Sequence, residues 1–403
     1  MVALTAQRRD RVGAYGHTGG LTPALDALAA SGARFDEAAA PIHWTLPAQA
    51  SLLSGLYPEG HGVLSRDRAL PEAVTTLPEI LRLYDYRTAA FTGGLDASGS
   101  FGLSQGFEVY DDQTDGAPIG ALSESLERAL TWLDGGEAPA LLWLQSYEAH
   151  DPYCRGRPPA QAGAPLAERE LGRAFLKALD PGTMSAADKA AVERCYDEGV
   201  RRNDEGLSAL VEALRARGTL DRTLLVVLAE HGETLGEWGS YDRFGGGDLH
   251  EAVIHVPLVI RGPGVQVGGV DAPISLVDLA PTLLELVSVP AHWEMQGRSF
   301  APLLRGGEAP EAAPTFSVTG DGRWAARTSR WKLSVTPEGR TLHDLSADPG
   351  EARDRSSENP DVVLALSRAY AEWHRRVTAS QPGAAPLVID PALRKALEDA
   401  GYW

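Results

Sequence analysis

Short apolar runs alternate with helical patterns along most of this chain, and that alternation limits its fold more than any other feature. Residues 86–91, 140–144, 223–228 and 256–260 read as strands, with 2–5 as a short first strand. Residues 22–32 carry a cap at Thr22, a first-turn Pro23 and a stop at Gly32, so they read as a helix. Residues 203–217 place Leu207, Leu210, Val211 and Leu214 on one helical face, and 278–287 reads as a further helix. Strands separated by helices predict an α/β domain on a largely parallel sheet.

The texture changes at 306–314, a proline-rich connector. Beyond it, 315–318, 324–328, 331–335 and 341–345 are short strands with turn signals, followed by a helix at 362–377. The expected layout is an α/β domain over 1–305, a small subdomain of antiparallel sheet and helix over 306–380, and a tail over 381–403. The 403 residues suffice for this, and no internal repeat is visible.

The formal net charge of −18 argues against nucleic acid and anionic membrane as partners. An anionic substrate would need local positive charge, and a metal ion is the usual source. No stretch approaches a membrane-spanning length. Two cysteines, Cys154 and Cys195, do not make a disulfide framework, which points to a reducing compartment. The first ten residues lack a signal peptide's apolar core, so the expected location is the cytoplasm.

Residues 45–62 hold the main chemical signal. Pro47 suits a first helical turn and Gly55 a helix stop, while Ala48, Leu52 and Leu53 supply a core-facing side. Thr45 would stand at the helix mouth, where unpaired N–H groups attract an anion. The same pattern also suits a plain helix with a hydroxyl cap.

The wording Thr45-x-Pro47-x-Gln49-x-Ser51-Leu52-Leu53-Ser54-Gly55, followed by Tyr57-Pro58 and His61-Gly62, resembles the signature of the sulfatase family, within the alkaline phosphatase superfamily. Further landmarks run in order: 13–16, 22–23, 106–107, 150–153, 231–233, 256–258, 278–282 and 331–333. The resemblance implies an alkaline-phosphatase-like sandwich, with a large, mostly parallel sheet between helices. It puts Thr45 at the nucleophile position, where sulfatases proper carry a cysteine oxidised to formylglycine and the superfamily's phosphodiesterases carry threonine. Threonine cannot form formylglycine.

The resemblance also implies a divalent metal (Ca, Mg, Mn or Zn) held from two strand ends. At the first, Thr5 replaces the ligand aspartate, and Asp10 matches a second, structural aspartate. At the second, Glu230 replaces an aspartate and His231 is retained. These two could equally belong to a capped loop with solvated charges. Gln49 stands in place of the signature arginine, Gly245 in place of a cation, and Gly93-Gly94 in place of a lysine–histidine pair. His150 matches a histidine that touches the leaving group. His61 would support the signature helix from behind, Lys332 would be structural, and Asp204 a surface or capping residue.

Two functions follow. The first is a hydrolase of sulfuric or phosphoric esters, with Thr45 as nucleophile, His150 at the leaving group, Gln49 in the pocket, and a metal on Glu230, His231 and Thr5. Its substrate would be a small anionic ester, a phosphorus ester before a sulfate. The second is a pseudoenzyme that binds a ligand or protein without turnover. A transferase is a third and weaker reading. Substrate choice would lie in the loops at 111–121 and 156–180.

Overall fold

The computed structural model describes residues 1–113, 119–158, 165–241, 249–307 and 313–379, with isolated positions in the tail beyond. Position 245 and most of the tail therefore lie outside the described residues, as do parts of the connector and of the two substrate loops.

Eight strands form the main sheet: β1 (Val2–Leu4), β2 (Ala33–Phe35), β3 (Arg87–Phe91), β4 (Val109–Asp111), β5 (Ala140–Ser146), β6 (Leu225–Leu228), β7 (Leu258–Arg261) and β8 (Gly268–Val270). Their order is β8-β2-β7-β6-β1-β5-β3-β4. All neighbours are parallel except that β7 runs antiparallel to both β2 and β6. The central strands are apolar on both faces, as a sheet covered on both sides requires. One face packs against α1 (Pro23–Ala30), α3 (Leu122–Asp134) and α4 (Ala186–Ala216) through Leu25, Leu126, Leu207 and Leu210. The other packs against α2 (Thr45–Ser54) and α5 (Leu279–Leu286) through Leu46, Leu52, Leu279 and Leu284. This is the expected mostly parallel sheet between helices.

Strands β9 (Thr315–Val318), β10 (Trp324–Arg327), β11 (Trp331–Thr336) and β12 (Gly339–Asp344) form an antiparallel sheet in chain order. Helix α6 (Pro360–Thr378) lays Val363, Leu366 and Trp373 on Phe316, Leu333 and Leu342. Tyr57 and Val277 join the same apolar cluster, which binds this unit to the main domain. Lys332 is structural, as expected: its buried Nζ donates to the Leu249 carbonyl at 2.7 Å and pairs with Glu351 and Glu251.

Three local readings need correction. The helix expected at 203–217 begins far earlier, because Ser185 caps it and the helix continues through buried Gly199 and Gly206 up to Gly218. Thr22 makes no side-chain cap on α1. Asp204, reaching across from α4, accepts from the Ala24 and Leu25 N–H groups at 2.8 and 2.9 Å, so it is a buried cap rather than a surface residue. Cys154 and Cys195 are joined in a disulfide, contrary to the reading from cysteine count. Their separation of 41 residues hid that Tyr153 and Tyr196 pack together and bring the two sulfurs face to face.

Candidate active site

The carboxyl ends of β6, β1 and β5 meet at one edge of the sheet, where doubly wound folds place their ligands. Thr5 follows β1 and donates its N–H to the Ser146 carbonyl at 2.9 Å. Gln145, next to last in β5, donates from Nε2 to Thr5 Oγ1 at 3.0 Å. Glu230 and His231 follow β6, and His150 follows β5.

Thr45 is the first residue of α2, and that helix ends where Gly55 turns to a φ of 67°. No side chain caps its start, so the hydroxyl-cap reading does not apply. Thr45 Oγ1 instead lies 3.1 Å from His231 Nε2. His231 Nδ1 is 2.7 Å from the Gly232 carbonyl, which can only accept, so Nδ1 carries the hydrogen. His231 Nε2 is then the acceptor, and the Thr45 hydroxyl donates to it.

His150 shares this tautomer. Its Nδ1 faces the Asp151 carbonyl at 2.8 Å and Asp151 Oδ1 at 2.9 Å, and its ring centre lies 6.3 Å from that of His231. The two imidazoles therefore stand close together at one site, as the sequence led us to expect.

His61 lies behind the helix. It accepts the Val63 N–H at Nδ1 and meets Ser51 Oγ from Nε2, each at 3.1 Å. Burial lowers its pKa to about 3, so it stays neutral and serves as a brace.

Glu230 is fully buried, and burial raises its pKa. The Thr5 hydroxyl and Gln49 amide lie near enough to offset that rise in part, yet neither meets hydrogen-bond geometry with the carboxylate. Both Glu230 oxygens, Gln49 Nε2 and Gln145 Oε1 are buried without a hydrogen-bond partner.

Thr5, Thr45, Gln49, His150, Glu230 and His231 are thus brought into one buried neighbourhood. Asp10 is elsewhere, paired with Arg8 near the surface. Arg66, stacked over the Trp44 ring at 4.9 Å, holds buried Asp96 through two 2.6 Å contacts. Burial alone would raise the Asp96 pKa, but Arg66 outweighs it and holds the group ionised.

The sequence reading missed Gln145, although a glutamine closing the apolar run 140–144 was a usable signal. It also missed Tyr196, whose hydroxyl donates to the Ala6 carbonyl and accepts the Arg8 N–H, both at 2.7 Å. That bridge holds the loop after β1, where Ala6 sits at a φ of 61°. No local sequence pattern announces it.

Two family models match the chain: Sulfatase over residues 2–289, and the C-terminal part of N-sulphoglucosamine sulphohydrolase over 236–369. Human arylsulfatase A is 26% identical over 435 aligned residues, spanning 94% of this chain and 82% of that protein. Zebrafish arylsulfatase K is 33% identical over 182 residues, but that match spans 41% of this chain and only 34% of the relative. Among solved structures, a 2-O GAG sulfatase superposes with a TM-score of 0.76 at 19% identity, covering 98% of this chain and 95% of that one. The phosphonate monoester hydrolase of Agrobacterium radiobacter gives 0.72 at 22%, covering 93% and 95%. At such identities the superpositions speak for the fold alone. Members of the matched family typically use a divalent metal. With a family model covering most of its length and a relative aligned nearly end to end, the chain belongs to the sulfatase family.

Proposed function

We propose that this chain hydrolyses a small anionic ester of phosphoric or sulfuric acid, with Thr45 as nucleophile. The observation that carries the reading is the 3.1 Å contact between Thr45 Oγ1 and a His231 Nε2 fixed as acceptor. Thr45 Oγ1 attacks phosphorus or sulfur, and its proton passes to His231 Nε2. The bond from phosphorus or sulfur to the ester oxygen breaks, and protonated His150 gives its proton to the departing alkoxide. Asp151 stands against His150 Nδ1 and fixes the ring so that Nε2 is the edge left to face the leaving group. Water then cleaves the Thr45 ester, with His231 returning a proton to Thr45 and His150 taking one from water.

A phosphorus ester is preferred, because threonine cannot supply the aldehyde hydrate used on sulfates. The buried disulfide favours an oxidising compartment over the cytoplasm.

A second reading, binding without turnover, is favoured by one observation: the Thr45 side chain has no exposed surface. Assays of aryl phosphates, phosphate diesters, phosphonates and aryl sulfates separate the two. Turnover that falls by at least about four orders of magnitude in Thr45→Ala, as loss of a covalent nucleophile requires, supports the hydrolase. Absence of turnover across the panel removes it.

A further inference from the structure

A divalent ion needs hard oxygen ligands and compensating negative charge. At the ends of β1 and β6, where the family resemblance seats its ion, the described residues supply one carboxylate, Glu230, and the hydroxyls of Thr5 and Thr45. Thr5 Oγ1 already accepts a hydrogen bond from Gln145 Nε2. His231 Nδ1 is committed to the Gly232 carbonyl, so the ring has one lone pair, and it faces Thr45. Among the described residues, no three His, Cys, Asp or Glu side chains come together in a group that could hold a metal. One carboxylate leaves a divalent ion with an uncompensated positive charge in a fully buried site, and such a charge is costly.

The atoms left without partners complement one another. Gln49 Nε2 is a donor, the Glu230 oxygens are acceptors, and the two side chains are neighbours. Small rotations could join them with no ion present.

We infer that this site does not retain a divalent ion, and that the uncharged polar side chains of Thr5, Gln145 and Gln49, gathered around Glu230, occupy its seat. The inference concerns the same site as the proposed hydrolysis but does not depend on turnover.

The test is the metal content of the purified protein. It is measured by mass spectrometry after equilibration with millimolar Ca, Mg, Mn or Zn and removal of free ion. The expected result is a small fraction of one ion per chain, with a thermal midpoint unmoved by any of the four ions or by chelator. Close to one ion per chain, or a midpoint that rises with one of the metals, overturns the inference.

A Thr5→Asp, Glu230→Asp double variant restores charge and is expected to gain at least about tenfold in bound metal. If it folds yet gains none, charge is not what excludes the ion, and the argument fails. Turnover that survives chelation supports both the inference and the hydrolase. Turnover lost on chelation keeps the hydrolase and overturns the inference. A metal-free chain without turnover leaves the inference standing and removes the hydrolase.

Discussion

Removing the Cys154–Cys195 disulfide should cost more stability than any single buried side chain near the site. The cross-link spans 41 residues of sequence, so it restricts the unfolded chain considerably. Loop-closure entropy for a ring of that size amounts to about 4 kcal/mol at 25 °C. Set against the unfolding entropy of a 403-residue chain, this is a fall of roughly 5 °C in thermal midpoint. The loss should be local first. Leu166, Leu171 and Leu176 pack with Tyr153, Val192 and Tyr196 in a cluster of their own around the bridge. Cys154→Ala, Cys195→Ala and the wild type under reductant should therefore unfold earlier, and protease should cut first within the segment between His150 and α4. Thermal unfolding with and without reductant, with thiol counting on the unreduced fold, measures this. Two free thiols in the unreduced native protein, or an unchanged midpoint on reduction, would refute the reasoning.

Two further predictions rest on buried charge. Lys332 and the Lys332-paired Glu351 are both buried, and although burial opposes it, Lys332 first and His250 second draw the Glu351 pKa from 4.5 down to about 2. Because the folded value lies below the unfolded one, this stabilisation is present above pH 4.5 and is lost as pH falls towards 2. It amounts to about 3 kcal/mol. Denaturant titrations should show that slope in the wild type and a clearly shallower one in Lys332→Met, where His250 alone still faces Glu351, and the variant should also be destabilised at pH 7 by about 3 to 5 kcal/mol. Asp204→Ala should cost about 1 to 2 kcal/mol, measured by urea unfolding at neutral pH, because it uncaps the Ala24 and Leu25 N–H groups of α1.

What the sequence disclosed and what it concealed divide along a physical line. Strands β1, β3, β5, β6 and β7 were legible because each is a short, largely apolar run, and the four strands of the small sheet because turn residues punctuate that region at short intervals. The family resemblance implied one site for Thr45, His150 and His231, and in the structure the three lie within one buried neighbourhood. The disulfide was misread, because a count of two says nothing about distance. Tyr196 was invisible for a related reason: it acts through a partner more than a hundred residues away, and one polar contact on an apolar helix face carries no periodicity, whereas Gln145 left a trace as the polar residue closing an apolar run.

The concealed contacts share an origin. Helix α4 places Cys195 on the His150 loop, Tyr196 on the Ala6 and Arg8 backbone, Asn203 on Gln7, and Asp204 on the start of α1. Three side chains of a single helix thus hold the loops after β1 and β5, and a fourth, Asp204, caps α1. The charge around Thr45 is thin, yet the framework that aligns the two loops is dense. The alignment gives a physical reason to test turnover before setting it aside.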